Sequence, residues 1–498
     1  MKLAYLNTPD LSCFTDAKEQ LDGMIKYLQS DERFDNEHGD IEQYIQKEGF
    51  EVLRCLFQGY LDLRAASEVP LSTVYNAEGI HLNHTKSVTT RKLTTLFGDV
   101  IVKRKSYSQR LQKSVFPLDA QLNLPSDQYS DGIRHRVAIE ARKSSYDEAI
   151  ESINQTTGGY TPKRQSLQLA QDVAQDFDHY YRQNRYLTQE KTDNLLVLTF
   201  DGKGIVMRPE GLRECTKKAA QKSKKLNSRL SAGEKKDRKR MAQVAAVYTA
   251  LPHIRTADSI MNIENETSNV QYLKAAERNK RVWASIENTA EDVIEAGFLE
   301  ALQRDPTQQR EWVVLIDGHP HQLRLINRVM KKHQIKATIV MDFIHVLEYV
   351  WKAAWCFYEK GDSNVEAWVE RKALKILEGQ GNQVAKGIRI SATKREITKR
   401  ENIDKCADYL VKNKSRLEYG EALKKGYPIA SGVIEGACRH IINDRLDITG
   451  ARWSLKGAET ILRLRSLKSS GDFDDYWDFH KKQSNQRLYG NLKTSRVV

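Results

Sequence analysis

The sequence predicts a mixed α/β core interrupted by an all-helical insertion and preceded by a mainly helical region that carries a β-hairpin. Three observations predict it. Short apolar runs, "NLLVLTF", "MAQVAAVYTA", "WVVLI" and "ATIVM", have the length and branched content of buried strands, and helical patterns alternate with them. A third, from residue 343 to 425, is a long stretch with apolar positions three and four apart and no strand signal. At 498 residues the chain exceeds one ordinary core, so several domains are expected.

Residues 1–85 form a helical region, typified by "YIQKEGFEVLRCLFQGYLDLR" at 44–64. Residues 86–190 hold a hairpin and a pair of helices. In "TTRKLTTLFGDVIVKRKSYSQR", 89–110, branched runs flank Gly98-Asp99, a good hairpin turn pair, and Arg and Lys crowd the outer positions. Beyond it, two helices are joined at Gly158-Gly159. Thr161 is suited to cap the second and Pro162 to sit in its first position. That helix opens with Lys163, Arg164 and Gln165, the layout of a helix-turn-helix. Residues 191–345 make the first part of the core. Its first strand is expected to turn at Asp201-Gly202, a basic insertion spans 208–240, and a long helix covers 270–303. Residues 346–425 are the helical insertion, and 426–498 the last part of the core with a C-terminal tail.

Lys and Arg number 79 against 66 Asp and Glu, a net charge of +13. Such an excess points to a polyanionic partner, of which nucleic acid is the commonest. No apolar run approaches a membrane span, and the polar opening "MKLAYLNTPD" is unlike a secretory leader. The six cysteines are widely spaced with no C-x-x-C pair, which argues against a disulfide framework or structural zinc and suits a reducing cytoplasm. "HLNH" at 81–84 lacks the partners that would complete a metal site.

Two apolar runs end alike, in Asp201-Gly202 and Asp317-Gly318. An Asp-Gly pair alone is simply a good turn. Two of them at the carboxyl ends of core strands, on a basic chain, favour a site. In "IASGVIEGACRH", 429–440, Glu435 stands among small residues. It could be a helix-start acid favoured by the dipole, with Ser431 as cap. It could also complete a set of three carboxylates. Gly432 and Gly436 would then leave room for a DNA backbone, and Arg439, one turn on, would face the same phosphate. Three such acids suit Mg²⁺, with Mn²⁺ able to substitute, because the ion is hard and takes oxygen ligands. In "MDFIHVLEYVWKAAW", Asp342, His345, Glu348 and Lys352 share one helical stripe. Glu348 and Lys352 are expected to pair with each other, leaving His345 open.

Taken together, "TFDGKGIVMRPEGLRECTKKAA", "VVLIDGHPHQL", "DFIHVLEYVWKAAW" and "SGVIEGACRHIINDRLDITGARWSLKGAETILRLRSLKSSGDFDDYW" resemble the ISKra-type insertion-sequence transposases, a bacterial DDE family. The resemblance runs from about the hairpin to the C-terminus. It implies an RNase H-like core, with a helical insertion between the last strand and the helix that bears the third acid. The three acids fall on Asp201, Asp317 and Glu435, and Asp342-Phe343-Ile344-His345 is similar to a C/D-x-x-H signature, which adds His345 to the site. Asp317 is preferred over Asp342 as second acid, because the first strand of that fold lies beside the fourth, whereas Asp342 would end the fifth. Lys203, Arg439 and Arg452 are expected to contact phosphate, and Trp453 either to stack on an unpaired base or to pack in the core.

The implied function is DNA transposition: Mg²⁺-dependent cutting at element ends, then attack of the freed 3′-hydroxyl on target DNA. The partners would be double-stranded DNA, both terminal repeats and target, and a second copy of the chain in a dimer or higher oligomer, without a membrane. An RNase H-like nuclease that lacks strand transfer, or a DNA-binding regulator that no longer cuts, remain as alternatives.

Overall fold

In a computed structural model, residues 11–31, 35–183, 192–222, 238–261, 278–359, 361–448, 450–490 and 493–496 are described. They fall into two units, one of residues 1–180 with 474–498, the other of 181–473. The C-terminal residues 474–498 thus group with residues 1–180. The reason lies in the Phe473–Tyr489 helix: His480 Nδ1 meets Asp176 Oδ2 at 2.7 Å, and Arg487 pairs with the other oxygen of the same buried carboxylate.

In the first unit, helices Thr15–Leu28 and His38–Ala66 pack together, and the second of them lies on the hairpin. Strand β1 spans Leu71–Tyr75, and the hairpin strands are β2 (His84–Thr95) and β3 (Gly98–Ser108). The hairpin turn is Leu96-Phe97, not the expected Gly98-Asp99, because Thr95 already pairs with Gly98. Much of the hairpin's positive charge is neutralised within the unit: Lys92 pairs with Asp99, Lys103 with Asp62, and Arg91 and Arg104 with Asp119.

Helices Tyr146–Thr156 and Lys163–Ala174 flank the diglycine, as expected. The glycines serve close approach rather than a left-handed turn. A Cβ on Gly158 would stand 2.4 Å from the Phe97 carbonyl oxygen, and one on Gly159 2.3 Å from that of Thr95. Thr161 does not cap the second helix; its buried hydroxyl has no partner there.

The second unit is built on a five-stranded mixed sheet: β4 (Leu195–Val206), β5 (Lys239–Ala250), β6 (Arg278–Ser285), β7 (Trp312–Ile316) and β8 (Thr338–Met341), in the order β6-β5-β4-β7-β8. The first three are antiparallel neighbours, and β7 and β8 continue parallel to β4. Two expectations are corrected here. Strand β4 does not turn at Asp201-Gly202; it runs on, pairing Asp201 with Val244 and Gly204 with Met241. Residues 278–285 form a strand, not the start of the expected 270–303 helix, which begins only at Ala290 behind a Thr289–Asp292 capping box. The strand was masked by "RNKR": Arg278 is exposed and Lys280 half-buried, while Arg281 is buried and paired with Glu300, next to the buried Val282–Ser285.

Edge strand β6 is covered. Ser470 and Ser466 of the Leu455–Ser470 helix accept from the amides of Val282 and Ala284, and Glu459 accepts from Ile286. After β8 come helices Phe343–Ala354, Asn364–Leu377, Gly381–Lys394, Glu401–Lys412 and Tyr419–Lys424, then Gly432–Ala437, so the stretch read as helical is helical. Residues 223–237 of the basic insertion lie outside the described residues.

The Asp317-Gly318 turn is as expected, and Gly318 adopts a left-handed φ of 87°. A Cβ there would also meet Met341 Cε at 2.0 Å. Gly318→Ala is therefore expected to lower the unfolding free energy by about 2 kcal/mol, measured by denaturant titration.

Candidate functional site

Strands β4 and β7 run parallel with Leu196 opposite Trp312 and Thr199 opposite Leu315. The ladder ends there and β7 ends at Ile316, so Asp201 lies two residues beyond the last β4–β7 pair and Asp317 is the first residue after the neighbouring strand. Both acids line one cleft of about 430 Å³, together with Arg213, His319, His321 and Gln322. Asp201 Oδ1 accepts from the Gly202 amide and Oδ2 from the Cys438 thiol at 3.1 Å. Asp317 Oδ1 accepts from the His319 amide at 2.9 Å, and its carbonyl from the Tyr409 hydroxyl at 3.1 Å.

Glu435 lies on the short Gly432–Ala437 helix, which packs on β4 and β5. Its carboxyl is held above the usual range, first by partial burial, then by the negative charge of Asp342, against His345, which lowers it; Asp201 and Glu348 raise it further. Glu435 is thus within electrostatic reach of Asp201 and of His345. Directly after it, Cys438–Asn443 is π-helical, a widened turn common at functional sites. Cys438 is buried against Asp201 there while Arg439 stays exposed. An added Cβ at Gly432 or Gly436 would meet nothing within 4 Å, so both glycines face open space.

Asp342 is fully buried and acts as N-cap of the Phe343–Ala354 helix, accepting from the amides of Ile344 and His345. Ser431 does not cap the Glu435 helix; its hydroxyl and amide both donate to Asp342. Glu348 and Lys352 pair at 3.2 Å, as expected, and His345 Nδ1 lies 3.8 Å from Glu348.

Among the other expected residues, Lys203 lies on β4 close enough to the Cys438 thiol to oppose its raised pKa. Arg439 and Arg452 are exposed. Trp453 is not available for base stacking: it is buried, donates its indole N–H to Leu446 and lies under the Arg445 guanidinium. Lys163, Arg164 and Gln165 are exposed at the start of their helix in the other unit, with Lys163 paired to Asp147.

The chain matches no family model and no curated protein.

Sequence reasoning missed Arg213, His319, His321 and Cys438. "HPH" directly after Asp317-Gly318 was a usable signal. Cys438 was not findable, because its partner is 237 residues away.

The donors fit a hard divalent cation in kind. They are carboxylates, the negative charge of Asp201 is one of the influences that raise the Glu435 carboxyl, and Asp201 keeps lone pairs beyond the two its neighbours use. Among the described residues no three acidic, His or Cys side chains stand close enough to share an ion, so a shared site requires a side-chain rearrangement. Because the Glu435 carboxyl is raised, the folded protein binds more protons than the unfolded chain just above the ordinary carboxylate range, and stability falls as pH rises through that range. Glu435→Gln is expected to raise the melting temperature of the metal-free protein at neutral pH, with the gain fading on acidification; a pH series of melts checks this.

Proposed function

We propose that the chain is a DNA transposase of the ISKra type with an RNase H-like core. One observation carries this reading: Asp201 on β4 and Asp317, directly after the neighbouring β7, line one cleft, and Glu435, reached only after an all-helical stretch, is within electrostatic reach of Asp201. The strand order β6-β5-β4-β7-β8, three antiparallel and two parallel, agrees with the core that the resemblance implies.

Asp201, Asp317 and Glu435 would hold Mg²⁺ or Mn²⁺, which supply Lewis-acid activation of water or of a 3′-hydroxyl and stabilise the leaving oxygen. The chain's own residues do the rest. Arg213 lines the same cleft, and Lys203, Arg439 and Arg452 offer positive charge to the backbone of the cut strand. His345, beside Glu435, is placed to hold or pass a proton. Asp342 is a structural carboxylate, which leaves Asp317 as second acid.

The exposed Lys163, Arg164 and Gln165 read the element ends, while two copies of the chain bring both ends together. Free cysteines throughout and no helix, among the described residues, long and apolar enough to cross a membrane suit action on DNA in the cytoplasm.

Incubation with an end-containing duplex and Mg²⁺ tests the reading: nicked and joined products support a transposase, nicking alone a nuclease, binding alone a regulator. Asp201→Asn, Asp317→Asn and Glu435→Gln should each cut chemistry by about a thousandfold or more while end binding holds. In gel-shift titrations, Arg164→Ala should weaken end binding and reduce the salt dependence of log Kd by about 0.9.

A further inference from the structure

A buried carboxylate is costly unless every oxygen is satisfied. Asp342 meets that demand with neutral donors from two separate helices. Oδ1 takes the amides of Ile344, at 2.7 Å, and His345, in the first turn of the Phe343–Ala354 helix. Oδ2 takes the amide of Ser431, at 2.8 Å, and its hydroxyl, immediately before the Gly432–Ala437 helix. The two ends of this bridge are 89 residues apart. A second bond runs beside it, from the Phe343 amide to the Ile429 carbonyl at 2.8 Å.

We propose that Asp342 is a positioning residue that, through Ser431, sets where Glu435 stands relative to His345 and Asp201. Its four acceptor positions are all engaged, so it has none left for a metal. What it does instead is hold one helix start against another. His345 is three residues from it along one helix, and Glu435 is four residues beyond its Ser431 partner along the other. The helical residues between them can shift without changing this local geometry, because the distance is fixed by the bridge and not by the intervening chain. That Asp342 and His345 are the strongest charged influences on the Glu435 carboxyl agrees with the placement.

The proposal rests on Asp201 and Glu435 binding a divalent ion. The test is therefore Mn²⁺ binding, followed by electron paramagnetic resonance on the full chain without DNA or turnover. Ser431→Ala removes one donor and keeps the amide, so it spares the fold better than Asp342→Asn. It should weaken Mn²⁺ binding about 10-fold, the scale of an outer-shell loss. Ser431→Thr, which restores the hydroxyl, should return within about twofold of the parent, and Ser431→Ala added to Glu435→Gln should cause no further loss beyond that margin. Unchanged binding in Ser431→Ala, alongside weakened binding in Asp201→Asn and Glu435→Gln, overturns the positioning role and leaves the metal reading standing. Equal further loss in the Glu435→Gln background also overturns it, since the effect would then not pass through Glu435. Parent-like binding in Asp201→Asn and Glu435→Gln overturns the metal reading, and this proposal with it.

Discussion

Strand β7 enters the sheet parallel to β4 in the register that pairs Leu196 with Trp312 and Thr199 with Leu315. Because side chains alternate with period two, that register decides which groups share a face, and a slip of one residue would send Asp317 to the other side from Asp201. The register is held firmly. Trp312 to Ile316 are all buried, so any slip would force both packed faces to accept side chains of other shapes. The Trp312 indole is tied to Asp305, and Arg310, just before the strand, donates to the carbonyls of Asn194 and Leu195 at the start of β4. The pairing of two acids is thus a by-product of apolar packing and a few polar anchors one strand-length away.

Around those acids the charge balance is uneven. Asp342 and Asp201 lie close enough to raise the Glu435 carboxyl, and the donors that satisfy Asp342 are neutral. The Cys438 thiol that meets Asp201 is neutral as well, its pKa pushed well up by burial and by Asp201 itself. Neutral donors orient a carboxylate without cancelling its charge, so the carboxylates keep their own charge. A cation is what such charges attract. Arginine at the position of Cys438 would have satisfied Asp201 equally well and neutralised it.

Much of the sheet was legible because β4, β5 and β7 are largely buried and β8, though its first residue is exposed, is still a short apolar branched run. Strand β6 was not, since its opening "RNKR" is charged and polar and mimics a solvated helix, although Arg281 within it is buried. The turn misread at Asp201-Gly202 has a similar origin: Asp-Gly is a strong local signal, but β5 supplies partners straight through it, and tertiary pairing overrides propensity. At the site, the acids were visible as residues, whereas Asp342's role was not. A carboxylate that caps one helix and grips the residue before another is defined by a contact across 89 residues, which no local spacing encodes. Trp453 was open between stacking and packing, and Leu446 decides it by accepting the indole proton.

The continuity of β4 also has a chemical consequence. In an uninterrupted strand, Asp201 and Lys203 point to the same face, about 7 Å apart. A turn at Gly202 would have carried Lys203 away from the cleft. As it stands, Lys203 is near enough to influence the Cys438 thiol, on the side where Glu435 and the exposed Arg439 lie. Acids that would hold a cation are thereby bordered by bases that would hold a phosphate. The hairpin's cations, by contrast, are largely committed to Asp62, Asp99 and Asp119. Positive charge is therefore offered where a scissile strand would have to lie, from Lys203 and from an exposed Arg439 that also meets Asp444 at 4.0 Å, and the open faces of Gly432 and Gly436 give that strand the room to approach.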